Sequence, residues 1–244
     1  MQSRLQVLAI AMALGALSPA RAGDVASRDV IGFSANGGIF AFEEFGVQDG
    51  SGFPYANRFY IDTATDRFLP GSPVRVRIDD ENANVDEARR QAREKGEAVT
   101  SEADFAGNPG YTAGANGIGE WSADPSRMIV NPRPVFPAID APLEFRIDAV
   151  PAPPEPRCGG TEELRALRVW RVRIGVGAAV ELIHDDKGRI PTSRGCPTGY
   201  RIAEVRTFFP DGGPAVYALT LAVEGIGFEG PDYRHIALTG LIEP

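Results

Sequence analysis

Short runs of β-forming residues, cut apart by clusters of glycine, proline, asparagine and aspartate, limit what this chain can fold into. The segments 38–45, 57–62, 73–79, 142–150, 166–175, 178–184, 200–208, 214–224 and 233–242 alternate or run apolar over strand lengths. With 28 glycines and 20 prolines spread among them, helices have few places to form. The expected fold is mainly β. It consists of packed antiparallel sheets, either sandwich-like or a propeller-like fragment. Asp186-Lys187-Gly188, within HDDKGRI, reads as a turn between two strands. One helix is expected over 84–98, with Asn84 as its cap, Asp86 and Glu87 in its first turn and Gly96 near its end. Its apolar stripe is only Val85, Ala88 and Ala92, which suits a helix lying on the surface. Residues 104–141, rich in Gly, Asn and Pro, read as a long connection holding one short strand at 127–130.

The chain opens on a basic MQSR, an apolar LQVLAIAMALGAL and the small-residue site Ala20-Arg21-Ala22. That is the pattern of a secretory leader over residues 1–22, followed by one β-rich domain over 23–244. The apolar run is shorter than a membrane span requires, so no anchor is expected once the leader is cut. Arg4 and Arg21 leave with it, and the remaining 23 basic residues face 33 acidic ones, a net charge of about −10. Such a balance disfavours nucleic acid, whose recognition rests on Lys and Arg contacts to phosphate. In an exported chain the two cysteines, Cys158 and Cys196, are expected to form a disulfide. The competing readings are free thiols or a metal site, and the latter needs more ligands than two Cys and two scattered His supply.

Part of the sequence recurs. FSANGG (33–38) and FPDGG (209–213) each precede a strand, and each strand leads to a G-x-G-F: GSGF at 50–53 and GIGF at 225–228. Arg58 and Arg234 follow at nearly matching places. The pattern reads either as chance likeness in a glycine-rich β chain or as a duplicated supersecondary unit, the latter with Gly50, Gly52, Gly225 and Gly227 as turn or bulge glycines. Phe53 and Phe228 would then be apolar plugs. Glu43, Glu44 and Asp49 belong to the first copy only, so the unit itself does not need them.

Those three acids, with Arg58, are the candidate ligand-binding residues. In a regular strand Phe40, Phe42 and Glu44 share one face, and Ala41, Glu43 and Phe45 the other. A carboxylate set among phenylalanines needs a cation or hydrogen-bond donors to offset desolvation, and Arg58 and Arg75 are the partners in reach by sequence. Asp79, Asp80 and Glu81 offer hard oxygen ligands that Ca²⁺ would accept. The EF-hand spacing fails there, and an acidic approach to a helix start is the plainer reading. No catalytic residues are assigned. The only imidazoles are His184, expected exposed at a turn, and His235, expected to be a satisfied structural histidine. Neither G-x-S-x-G nor H-E-x-x-H occurs, and GANGIG (114–119) has the wrong spacing for a dinucleotide loop.

The stretch GFSANGGIFAFEEF…FYIDTATDRF resembles one blade of a TolB-like or WD40-like propeller, with Asn36 where such a blade has Asp. VIGFS, FAFEEFGVQDGSGFPYANRFYID, PVRVRIDDENA, RGCPTGYRIAEVRTF and GFEGPDYRHIALTG are together similar to a family of predicted secreted bacterial proteins, domain of unknown function 2259. That resemblance implies export and a domain over roughly 24–244, and no stated activity. The function expected is a non-enzymatic binding or interaction module, secreted or periplasmic, whose partner is a protein or small ligand not named by the sequence. The alternative is a carboxylate- or metal-dependent hydrolase using Glu43, Glu44 and Asp49.

Overall fold

Among the described residues every pairing between strands is antiparallel, and Val25 adds one isolated parallel bridge to Tyr233. The computed structural model describes residues 23–161, 163–174 and 178–242, so the expected leader lies outside it. Sheet I contains β1 (Ser27–Phe33), β2 (Ile39–Val47) and β3 (Pro54–Asp62) in that order. The short strands β4 (Arg67–Phe68) and β5 (Val74–Arg77) both pair with the far side of β3. Sheet II runs β10 (Ala179–Asp185), β9 (Arg165–Arg173), β8 (Leu143–Pro151), β7 (Arg127–Val130). Sheet III runs β13 (Pro231–Leu241), β12 (Val216–Ile226), β11 (Pro197–Phe208), β6 (Tyr111–Ala115). Each sheet keeps open edges; none closes into a barrel.

Sheet III is the middle layer, and β12 shows why. Its residues 216–223 are buried without a break, which strand alternation permits only when both faces are covered. Tyr217, Leu219, Leu221 and Val223 pack with Phe145, Leu167 and Val169 of sheet II. Val216 and Ala218 pack with Phe33, Phe40, Phe42 and Phe59 of sheet I. The phenylalanine cluster is stacked, with Phe42 and Phe59 ring centroids 4.5 Å apart.

The helix α1 (Val85–Gly96) covers the outer face of sheet I. The Asn84 side chain accepts the Glu87 N–H at 2.8 Å, as the cap reading expected. Ala88 and Ala92 are fully buried against Ala56 and Val76. The stripe is thin because the approach is close. At Gly96 a Cβ would stand 2.2 Å from the Tyr60 hydroxyl, so only glycine lets the last turn rest there.

The nine expected strands are all present, with ends shifted by a few residues. Three more were not expected: the two-residue β4, and the longer β1 and β6, the last within the stretch read as a long connection. SRDVIGF is broken by a register shift between Val30 and Gly32, and YTAGA has no apolar alternation. Both are strands because a neighbour's unpaired edge recruits their backbone, a cause that periodicity does not register. HDDKGRI turns at Lys187-Gly188 as expected, but no strand follows directly. The chain passes through a short 3-10 turn at Thr192–Arg194 before β11. Cys158 and Cys196 are joined in a disulfide, and among the described residues no cysteine is free.

Candidate functional site

The Glu43-Glu44 pair splits across sheet I, as the alternation required. Both side chains are buried, at 4% and 3% exposure. Glu43 points toward the helix layer. Arg89 of α1 donates to its carboxylate at 3.1 Å and to Asp29 at 2.6 Å, and lies over the Phe45 ring at 3.7 Å. Glu44 points toward sheet III. Its carboxylate accepts the His235 backbone N–H at 2.8 Å and the Asn57 side-chain amide at 3.1 Å. Burial pushes the Glu44 carboxyl above its ordinary range, opposed by those two donors.

Cross-strand register carries the Glu44 level across the whole inner face. Arg28 pairs with Glu44, Glu44 with Asn57, and Asn57 with Arg75, giving one polar row from β1 to β5. The next rows hold Val30, Phe42 and Phe59, then Phe33, Phe40 and Ile61. The Arg28 end is closed by Glu204 of β11, which also accepts from Thr112 and Arg206. The Arg75 end is open.

Beyond Arg75 the edges of all three sheets meet around a cleft of about 840 Å³. Sheet I supplies Glu44, Asn57, Phe59, Phe68 and Arg75; β13 supplies residues 234–238; the margin of sheet II and the segment after it supply His184 and Arg194. Its size lies in the range of ordinary small-molecule sites, and its lining combines apolar side chains such as Phe59, Phe68, Ile236 and Leu238 with polar ones such as Glu44, Asn57, Arg75 and His235. His235 is 7% exposed, and its Nδ1 has no hydrogen-bond partner among the described residues. Burial, with Arg28 and Arg234 nearby, lowers its pKa to about 4. It is therefore neutral near pH 7, and its 3.9 Å approach to Glu44 is not an ion pair. This corrects the expectation of a satisfied structural histidine. His184 is half-buried rather than exposed, with Nε2 2.9 Å from Asp186.

The other candidates are placed as follows. Arg58 is fully buried on the helix side of sheet I and reaches Glu102 at 3.2 Å. Asp49 accepts the Glu229 N–H at 2.9 Å, tying the β2–β3 loop to the β12–β13 loop. Glu43, Glu44 and Asp49 thus occupy three separate surroundings. Asp79 pairs with Arg77 at 2.7 Å, Asp80 accepts the Asn82 N–H at 2.9 Å, and Glu81 is exposed. Among the described residues no three His, Cys, Asp or Glu side chains are grouped to hold a metal ion.

The two stretches read as a repeat are both hairpins, and their loops touch: a Cβ on Gly50 would lie 3.3 Å from the Phe228 ring. Gly50 and Gly52 have φ of 80° and 70°, whereas Gly225 and Gly227 do not adopt positive φ. Gly227 serves close approach instead, with the Gly230 carbonyl 2.2 Å from a Cβ placed there. Phe53 is half-buried, but Phe228 is 79% exposed and plugs nothing. Arg234 bonds Asp24 at 2.5 Å and covers the Tyr55 ring at 4.9 Å, a different role from that of Arg58.

Sequence reasoning missed Arg89, Asn57 and the part played by His235. Arg89 was detectable as the helix residue beside the Ala88–Ala92 stripe. Nothing local marks the other two.

Fold and site together define a layered antiparallel β protein with an inter-sheet cleft of ligand size. The chain belongs to the family described as predicted secreted protein (DUF2259), whose model matches residues 41–240, a span that includes every residue lining the cleft. No curated protein and no solved structure matches it.

Proposed function

We propose that this is an exported, non-enzymatic binding protein, acting in the periplasm or the medium, that holds a small molecule in the cleft between the three sheets. The observation that carries this reading is the cleft itself: a ligand-sized volume lined by Phe59, Phe68 and the β13 edge together with Glu44, Asn57, Arg75 and His235. Apolar walls with a few fixed polar groups are what a binding site needs for affinity and orientation. Hydrolysis by Glu43, Glu44 and Asp49 would require these groups on one side of a cleft, and Glu43 and Glu44 leave the sheet through opposite faces.

A ligand bound only by the native state raises the unfolding midpoint with its concentration. Thermal unfolding against a broad library of small molecules is expected to yield ligands whose stabilising effect disappears in Phe59→Ala/Phe68→Ala. Stabilisation that survives this double change would place the ligand elsewhere.

A further inference from the structure

We infer that the cleft takes a monoanionic amphipathic carboxylate, its head on the Arg75 guanidinium and its apolar body along Phe59, Phe68 and the Ile236-Ala237-Leu238 edge of β13. The inference rests on the binding reading above and adds the ligand class. Four arginines line the cleft, and three already have carboxylates. Arg77 pairs with Asp79, Arg194 with Asp186 and Arg234 with Asp24. Among the described residues the Arg75 side chain makes no hydrogen bond or ion pair; its guanidinium lies over the Phe59 ring, 5.8 Å from the centroid, and acts on the Glu44 carboxylate only through space. A guanidinium carries five N–H donors in a planar fork that fits a carboxylate through two parallel bonds.

The acids of the lining do not compete for a cationic ligand. Glu44 is engaged by Asn57 and His235, and Asp66 accepts from Thr239 at 2.7 Å. Among the described residues the cleft therefore offers one guanidinium with no hydrogen-bonded carboxylate, inside an otherwise acidic protein. A single charge on the ligand matches it, because Glu44 stands on the same polar row and a dianion would add repulsion without a second such guanidinium. The apolar body follows from adjacency: Phe59 lies beneath Arg75, and Phe68, half exposed, stands 6.1 Å from Phe59 between ring centroids.

Titration calorimetry with dodecanoate, dodecanol and dodecylammonium, each below its micelle concentration, tests this on the purified protein. Dodecanoate is expected to bind about tenfold or more tighter than dodecanol, and dodecylammonium weakest. Arg75→Gln should remove the advantage of dodecanoate and leave dodecanol unchanged, while Arg75→Lys keeps most of it. Dodecanol or dodecylammonium binding as tightly as dodecanoate to the unaltered protein would overturn the head-group assignment and leave the cleft reading standing. A preference that persists in Arg75→Gln would do the same. Binding by none of the three would overturn both.

Discussion

Glu44 and Glu43 each tie sheet I to a different layer, and they do so by different chemistry. Glu44 relies on neutral donors, Asn57 and the His235 N–H. Glu44→Ala would leave that buried N–H without an acceptor, a loss of about 1–3 kcal/mol. Glu44→Gln keeps an acceptor for it and is expected to cost less than half as much in urea denaturation. An acid whose folded pKa is raised favours the fold while protonated and loses that advantage as the pH rises through its folded value. The unaltered protein should therefore lose stability relative to Glu44→Gln as the pH climbs above 4.5. His235 has the opposite sign. Its pKa falls from 6.5 to about 4, so its contribution is complete above 6.5 and is lost as the pH drops toward 4. Denaturation midpoints measured across that window should decline less steeply in His235→Gln. A parallel decline would remove His235 as the cause.

At the scale of elements, α1 is held by small residues where most surface helices use large ones. Ala88 and Ala92 are fully buried, and Arg89 between them pins Glu43 and Asp29. Ala92→Leu is expected to force the helix off the sheet and cost about 1–3 kcal/mol by chemical denaturation. Hydrogen exchange should quicken in residues 85–96 more than in β12 if the damage is local. The helix and its cap were legible because Asn84 and its first-turn acids form a local pattern. β1 and β6 were not, since their strand character comes from the edges of β2 and β11. The two Gly-x-Gly-Phe hairpins share a layout without sharing loop geometry, which is why their glycines and phenylalanines carry different duties.

Across the whole molecule, three sheets and a helix stack so that sheet III is covered on both sides. The Cys158–Cys196 bridge, with a sequence separation of 38, ties the turn after β8 to the start of β11. It sits over a satellite cluster of Ala152, Leu164, Ala166 and Ile190. Replacing both cysteines with alanine is expected to cost about 4 kcal/mol on the chain-entropy account, measured by denaturation midpoint. It should also speed exchange in 191–195, the rim of the cleft. A variant as stable as the parent would show that the reduced chain is already constrained.

Strand alternation is a property of neighbouring residues. The sequence alone therefore determined that the protein is mainly β and that Glu43 and Glu44 face opposite ways; it made the Cys158–Cys196 disulfide the expected pairing, which the structure contains. What lies across each face is a long-range matter. Glu43 meets Arg89 46 residues away, and Glu44 meets the His235 backbone 191 residues away. Only the tertiary structure decided those partners, the central place of sheet III and the cleft left beside Arg75. Layers choose one another by burying apolar faces, and that choice has no period along the chain.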